Sequence, residues 1–325
     1  MPPAAPEDVV HALVGIQAQD RAAALLALRA RGAAAAEGAL SAASLDAATP
    51  ADTLSASLHA GGPIVRTWAM RGTLHLVAAE DVPLMLAVFA PLHLARGQRR
   101  LTELGLPPKA AERSTEETAA ILAEHGPLTR HELAAHLRDR GVPVEAKGQA
   151  PIHVVRRAAL AGVLAEAGVR GREELYGPSD PGPLPDREVA LAELGRRYAA
   201  AHAPATADDF AAWSGLPAAD VRAAWTDPEP TAGAPAVGDV RLLPAFDEWL
   251  LGWAARDVVP PEHAKRVAPG GGIIRPVAIA DGRVFATWRL DRRARRVELD
   301  AFGDVPDGVD AEIAAIGAFL GLELS

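Results

Sequence analysis

A repeat in the middle of the sequence constrains the fold more than any other feature. The segments HGPLTRHELAAHL (125–137) and HAPATADDFAAWSGL (202–216) align at an offset of 77 residues, with His, Pro, Thr and an acidic residue at matching places. Repetition of this length is typical of a duplicated supersecondary unit. The chain is therefore predicted to contain one helical arrangement twice.

Each copy predicts the same order of elements. An alanine-rich helix ends before a proline, and Thr129 or Thr206 then caps a short helix with an acidic residue three positions later, the pattern of a capping box. A third helix and a stretch suited to a β-hairpin follow. The predicted first helices are 114–125 and 186–202, the third helices 149–162 and 217–225, and the hairpins 163–177 and 237–246. This order is the winged-helix plan, and a pair of structural three-helix bundles is the alternative.

The N-terminal third is interpreted in the same way. Helices are predicted over 5–15, 21–32 (capped by Asp20) and 49–62, followed by a hairpin over 64–77 that turns at Arg71–Gly72. The predicted fold class is mainly α with small β-hairpins (α+β), as three tandem winged-helix units plus a small C-terminal β-sheet. The predicted domain boundaries are 1–110, 111–185 and 186–325.

The C-terminal region predicts short strands and a final helix. Strands are expected in RLLPAF, IIRPVAIA, RVFATWRL and RRVELDAF, with a turn at Asp281–Gly282 and an amphipathic helix over 310–321. The segment DRRARR joins two of these strands and carries Arg292, Arg293 and Arg295, which form either a phosphate clamp or a solvated hairpin tip. Asp247 is either a second carboxylate of the site or a helix cap, and the cap is the favoured interpretation.

Composition excludes several kinds of chemistry. The 325 residues include no cysteine, so disulfides, thiolate nucleophiles and Cys-ligated metals are excluded, and the ten histidines form no HExxH motif. We expect neither a metal nor an organic cofactor. The N-terminus has no signal-peptide pattern, and the longest apolar stretch (82–92) is too short to cross a bilayer. A cytoplasmic, nucleoid-associated protein without a membrane partner is expected, and three units on one chain favour a monomer.

The net charge of −9 is unevenly distributed along the chain. Residues 61–110 carry six Lys/Arg against three Asp/Glu, and residues 261–300 carry nine against five. Residues 186–260 carry six against twelve, and 301–325 carry five acidic residues and no basic one. A local basic face is enough to meet a phosphate backbone, so the overall charge does not exclude DNA. An acidic enzyme with scattered arginines is the alternative.

Two glutamines near the N-terminus stand out in the segment GIQAQD (15–20). Gln17 and Gln19 fall in a predicted connector between two helices, where an extended backbone would point both amides the same way at the mouth between the helices. An amide offers a donor and an acceptor together and can hold a water molecule. Spacing alone favours the alternative, in which both glutamines are ordinary polar residues of a turn.

Several separated segments together resemble one family. LVGIQAQD (13–20), VRTWAMRGTLHLV (65–77), LLPAFDEWLLGW (242–253) and GGGIIRPVAIADGRVFATWR (270–289) closely resemble the AlkZ-like winged-helix DNA glycosylases, in the same order and over nearly the whole chain. In that family a Gln–apolar–Gln motif marks the AlkZ branch and a Gln–apolar–Asp motif the sister AlkX branch. Here the motif is Gln17–Ala18–Gln19, with a small central residue.

The resemblance implies excision of N7-alkylated purines, including bulky adducts and crosslinks, from double-stranded DNA. Alkylation at N7 makes the purine cationic and easily lost, so the enzyme mainly has to place one water beneath the anomeric carbon. Gln17 and Gln19 would be the catalytic residues. Two amides lack the charge that a carboxylate would supply, so only destabilised, cationic lesions are expected to react.

The same resemblance draws attention to the hairpin. By strand alternation, Arg66 and Trp68 are predicted to share one face of the hairpin, and Thr73 and His75 are predicted to share a face of their own. In a DNA groove, an arginine of the hairpin would contact a phosphate and the tryptophan would act as a stacking wedge. Arg71 at the turn is the favoured DNA contact. The alternative places Trp68 and His75 in the core. A non-catalytic DNA-binding regulator and a protein-binding scaffold remain the competing functions.

Overall fold

The structure of the protein is a computed structural model that describes residues 15–17, 62–226 and 240–324. These residues belong to two compact units. The middle unit comprises 62–193, and the C-terminal unit comprises 194–226 and 240–324 together with 15–17. Helices and small antiparallel sheets alternate along the chain, so the architecture is mixed α/β. The helices predicted over 5–15, 21–32 and 49–62, with the cap Asp20, lie outside the described residues, and so does Gln19.

The first described elements are a short strand and a hairpin. Strand β1 is Ile16–Gln17. In the middle unit, β2 (Ile64–Trp68) pairs antiparallel with β3 (Leu74–Ala78) in regular register, with Val65 opposite Val77. The hairpin predicted over 64–77 is therefore confirmed.

Helix α1 (Val82–Glu103) follows the hairpin. It has Pro83 in its first turn, where the missing N–H is not needed, and its buried face is almost continuously apolar. Thr102 and Leu101 carbonyls accept the backbone N–H bonds that close its C-terminus. The helix packs against a later helix of the same unit, α4, and thereby forms one wall of the core beside the hairpin.

The order of elements predicted for the first repeat is confirmed. Helix α2 (Pro108–His125) leads through β4 (Leu128–Thr129) to α3 (Arg130–Asp139), and α4 (Ala150–Leu160) leads to the hairpin β5 (Leu164–Arg170) and β6 (Glu173–Pro178). The short strand β4 pairs with β6 and makes a three-stranded sheet in the order β4-β6-β5. The Thr129 side chain accepts a hydrogen bond from the backbone N–H of Glu132, whose carboxylate accepts one from the Thr129 N–H. This is the predicted capping box.

The second repeat is confirmed in its helices and not in its hairpin. Helix α5 (Arg187–His202) is followed by α6 (Ala207–Ser214), where Thr206 and Asp209 form the predicted capping box, and by α7 (Ala218–Ala224). The hairpin predicted over 237–246 is not found in its described part, 240–246, and residues 237–239 lie outside the described residues. The strand there, β7 (Arg241–Leu243), pairs instead with a strand more than thirty residues later in the sequence.

A four-stranded antiparallel sheet organises the C-terminal unit. A short helix α8 (Glu248–Leu251) and a helix α9 (Ala264–Val267) follow β7, and the sheet is completed by β8 (Val277–Ala280), β9 (Arg283–Asp291) and β10 (Arg296–Ala301) in the order β10-β9-β8-β7. The predicted turn at Asp281–Gly282 is confirmed, with φ of 48° and 73°. Helix α10 (Val309–Leu320) confirms the predicted final helix.

Both faces of this sheet are buried because apolar residues occupy successive positions of its strands. Leu242 and Trp288 face α10, where Ile313 and Ile316 complete one core. Leu243 and Val277 face the opposite side, against α8 and α9. The indole N–H of Trp288 donates to the carbonyl of Leu243 at 2.8 Å. Such uninterrupted apolar runs are typical of strands covered on both sides.

Across the described ranges, no helix combines the length and the apolar character needed to cross a membrane.

Candidate functional site

Gln17 lies in the extended segment that the sequence predicted, but its side chain does not face solvent. The residue forms the second position of β1 and is only 4% exposed. The expectation that its amide lies open at the mouth between two helices is therefore wrong for this structure. A buried amide is costly unless its donor and acceptor find partners. Gln17 is not without a partner in the structure.

The turn of the first hairpin uses the two residues predicted for it. Arg71 and Gly72 have φ of 53° and 70°, and the backbone N–H of Thr73 donates to the carbonyl of Met70 at 3.1 Å. Two successive positive φ values across such a bond are the geometry of a type I′ turn, whose twist suits a hairpin. The Thr73 hydroxyl also donates to the Met70 carbonyl, at 3.2 Å. Both side-chain and backbone bonds therefore hold the tip in one conformation.

Arg66 is buried within the protein and paired with two carboxylates. Its Nη1 donates to Glu166 on β5 and, at 2.8 Å, to Glu174 on β6. Burial alone would lower the pKa of Arg66, but the two carboxylates outweigh it and raise that pKa. Burial would likewise raise the pKa of Glu174, and Arg66 together with a hydrogen bond from the Tyr176 hydroxyl holds it below its ordinary value. A phosphate contact by Arg66 stays a prediction, and it would require these ion pairs to open.

The aromatic residues of the hairpin are also interior. Trp68 is 8% exposed, and His75 is fully buried with its Nδ1–H donating to the carbonyl of Thr73 at 3.0 Å. This placement matches the alternative in which both residues belong to the core beneath the hairpin. A wedge role for Trp68 stays a prediction that needs the hairpin to move. Arg71 and Thr73 are partly exposed at the tip, although the Nη1 atom of Arg71 is itself buried.

A cluster of basic side chains under the hairpin tip was missed by the sequence analysis. The Arg156 guanidinium on α4 lies against the backbone of Gly72, close enough that a Cβ on Gly72 would overlap Nη2. His93 on α1 lies beside the same glycine and hydrogen-bonds to the backbone of Ala69. Burial first, and then the charges of Arg156 and Arg96, lower the pKa of His93 to about 4. The signal for this cluster was the HVVRR segment, where His153 and Arg156 are three residues apart in a predicted helix and so share one face.

The second predicted arginine cluster lies in the C-terminal unit. Arg292, Arg293 and Arg295 are all exposed in the connection between β9 and β10, with Arg295 at φ 53°. Asp291 organises this connection, because its Oδ1 accepts from the backbone N–H groups of Arg293 and Ala294 at 2.9 and 2.8 Å. None of the three arginines is paired with a carboxylate in the part of the chain that the structure describes. They remain available to an anionic partner.

Asp247 caps a helix, as the favoured interpretation predicted. Its Oδ1 accepts from the backbone N–H of Trp249 at 2.9 Å, and the residue is 1% exposed. The neighbouring Glu248 is equally buried and accepts a hydrogen bond from the Trp213 indole at 3.0 Å. Within the LLPAFDEWLLGW segment, Asp247 therefore caps a helix and Glu248 holds a buried indole. Among the described residues, no group of three or more His, Asp or Glu side chains is arranged to hold a metal ion.

Comparison with known proteins agrees with this combination of helical units, hairpins and arginine clusters. The family described as DNA glycosylase AlkZ-like matches residues 10–321. The chain is 30% identical over 263 residues to a protein of Streptomyces sahachiroi named "Interstrand DNA cross-link repair glycosylase", and the match covers 70% of each protein. The structure of Streptomyces sahachiroi DNA glycosylase AlkZ superposes with a TM-score of 0.78 at 25% identity, covering 99% of this chain and 94% of that one.

The fold and these matches define a DNA-repair enzyme of the glycosylase class. More particularly, the chain belongs to the AlkZ-like DNA glycosylase family. The sequence resemblance is thus confirmed, and so is the prediction of a DNA glycosylase, a hydrolase of the N-glycosidic bond, in preference to a non-catalytic regulator or a scaffold.

Proposed function

We propose that this protein hydrolyses the N-glycosidic bond of N7-alkylated purines in double-stranded DNA and leaves an abasic site. The observation that carries the proposal is the Gln17–Ala18–Gln19 motif in a member of this family, with Gln17 in an extended segment and its amide fixed by burial. A preorganised acceptor costs no reorientation at the moment of reaction, which is where much of catalysis by positioning arises.

In the proposed reaction the C1′–N9 bond breaks and its electron pair goes to the purine, which leaves as a neutral base because N7 carried the positive charge. The oxygen of a water molecule bonds to C1′ and gives its proton to solvent. Gln17 and Gln19 accept hydrogen bonds from that water and aim it at the sugar. Because Gln17 is 4% exposed, the sugar and the water must reach it through a local opening made when DNA binds.

The substrate range follows from the same chemistry. Neutral amides stabilise an oxocarbenium-like sugar less than a carboxylate would, so only a purine that already carries positive charge should leave at a useful rate. Bulky N7 adducts fall in the same class. A relative of this chain is named for interstrand cross-link repair, and we extend that substrate to this protein as part of the proposal.

We further propose that residues 111–185 form one of three tandem winged-helix units and that the protein acts as a monomer. The helix–strand–helix–helix–hairpin order over 108–178 supports the first point. In the unit predicted over 186–325, the third helix, α7, is followed by the four-stranded sheet and not by a separate hairpin. The wing of this unit, the β-hairpin of a winged helix, would therefore have to come from that sheet. Arg71, Arg292, Arg293 and Arg295 are the proposed DNA contacts, since their side chains reach the surface.

The test is base release from defined duplexes. The protein is incubated with duplexes that carry N7-methylguanine, a bulky N7 adduct, or a deaminated purine, and with an undamaged duplex, and abasic sites are revealed by alkali cleavage. Release from the two N7-alkylated duplexes and from neither of the others is expected. Comparable release of the deaminated base would overturn the requirement for a cationic purine, and no release from any duplex would overturn the proposed function.

A further inference from the structure

Among the described residues of the middle unit, Arg156 differs from the buried Arg66 and from Arg157, which is half-buried like Arg156 itself. Arg66 is satisfied by two carboxylates, and Arg157 donates from Nε to the carbonyl of Ala111 at 2.9 Å and to the Thr115 hydroxyl at 3.2 Å. The Nε of Arg156 is buried and has no hydrogen-bond partner in the described parts of the chain. A buried donor without an acceptor is costly, and an anion is a ligand that supplies one.

The surroundings of Arg156 add positive charge and no negative charge. Burial lowers the pKa of the Arg156 guanidinium, with no described carboxylate to oppose it. The pKa of His153, one turn earlier on the same helix, is lowered by burial and then by the charges of Arg156 and Arg100. His93 has Arg156 and Arg96 as its charged neighbours. Within the part of the chain that is described, every charge that acts on these two histidines is therefore positive.

A narrow groove borders the cluster. It runs between α1 and α4, and leucine side chains line it together with His93, Gly97, His153 and Arg156. A Cβ on Gly97 would meet no atom within 4 Å, so the groove is unfilled beside that helix position. At one end of the groove the Arg156 guanidinium touches the hairpin tip at Gly72, next to the partly exposed Arg71.

We propose that Arg156 and Arg71 bind one phosphate group of the DNA backbone at the tip of the hairpin 64–78. A guanidinium presents a planar fork of donors that matches two oxygens of a phosphate, and two such groups beside a tight turn fix the position of the strand that passes them. The site would hold the hairpin in register on the duplex without reading sequence. This inference rests on the proposed function, because DNA supplies the phosphodiester.

The first experiment uses inorganic phosphate as the probe and the full chain. The pKa of His153 is measured by NMR with and without phosphate, in the parent protein, in Arg156→Gln and in the control Arg99→Gln. Arg99 carries the same charge on α1, but its side chain is 90% exposed and paired with Glu103. Phosphate should raise the pKa of His153 in the parent and in the control and leave it unchanged in Arg156→Gln. An unchanged pKa in the parent protein, or an equal rise in all three, would overturn the proposal.

The second experiment distinguishes a DNA phosphate from free phosphate. Binding to an undamaged duplex is measured over a range of salt concentrations. Each lost phosphate contact should lower the slope of log K against log salt by about 1, and we expect this change for Arg156→Gln and not for Arg99→Gln. Equal slopes for parent and Arg156→Gln would restrict the site to free phosphate and contradict the DNA contact.

Two further measurements separate this inference from folding defects and from the proposed function. In phosphate-free buffer Arg156→Gln should unfold at a temperature no lower than the parent, because the substitution removes a half-buried guanidinium whose Nε has no acceptor among the described residues. A marked loss would show that Arg156 is structural and overturn the proposal. Arg156→Lys should keep the salt slope and bind phosphate several-fold more weakly. Base release is assayed separately, so a protein that binds phosphate at Arg156 but releases no base contradicts the proposed function alone.

Discussion

Replacing Arg66 by methionine separates the structural role that the contacts indicate from the phosphate contact that the sequence predicted. The Arg66 and Glu166 side chains are 4% and 5% exposed, so the substitution takes the Arg66 cation away from a carboxylate that stays buried. Breaking a buried ion pair from one side costs about 3–5 kcal/mol. Glu174 adds little to this figure, because its side chain is 35% exposed and regains water. We therefore expect Arg66→Met to lower the free energy of unfolding of the middle unit by about 3–5 kcal/mol.

The assay is chemical denaturation combined with hydrogen exchange of the peptides from β2, β5 and β6. Local exchange is needed because a chain with two compact units need not unfold in one step. The double variant Arg66→Met/Glu166→Gln should recover part of the loss, since it removes the buried charge as well as its partner. Arg99→Met, which breaks an exposed pair, should change stability by less than about 1 kcal/mol.

The pH dependence has a defined sign. Because Arg66 holds the pKa of Glu174 below its ordinary value, the stability from this pair is fully present above that ordinary value, 4.5, and is lost as the pH falls through the lower folded-state pKa. In Arg66→Met, the free energy of unfolding should therefore fall less steeply as the pH is lowered through this range. If Arg66→Met kept full stability and instead reduced the salt dependence of DNA binding, the structural assignment would be wrong and Arg66 would be a phosphate contact.

The remaining predictions concern the two capping boxes and the second arginine cluster. Thr129→Ala and Thr206→Ala should each cost about 1 kcal/mol in denaturant unfolding, whereas Thr→Ser at either position should cost less, and no loss at either would contradict the capping geometry. Replacing Arg292, Arg293 and Arg295 together by Gln should reduce the salt slope of duplex binding by about 2–3 without lowering thermal stability, since all three side chains are exposed. An unchanged salt slope would show that these arginines do not contact DNA and that the connection is a solvated hairpin tip.

Local features of the fold were predictable from short stretches of sequence. The capping boxes at Thr129 and Thr206 and the turns at Arg71–Gly72 and Asp281–Gly282 depend on residues within four positions of one another. The chemistry of caps and of positive φ decides such features without help from the rest of the chain. The helices between them follow from the same signals.

Features that depend on distant partners were missed. The strand at 241–243 was assigned to a local hairpin because its partner, Val277–Ala280, is set by a sheet that buries both of its faces. Arg66 was interpreted as exposed because Glu166 is 100 residues away. For the candidate site, the extended conformation at Gln17 was predictable from its position in a connector, but its burial was not, since burial depends on which elements pack around it. Arg156 was overlooked for the same reason.

The central claim is that the two glutamines position the water that displaces a cationic purine. The most direct test is single-turnover release of N7-methylguanine from a duplex by the parent protein, Gln17→Ala and Gln19→Ala, with duplex binding measured in parallel. We predict that each substitution lowers the release rate at least about ten-fold, a rise in the barrier of about 1.4 kcal/mol or more, while duplex affinity stays within a few-fold. Release by both variants at the rate of the parent protein would contradict the account.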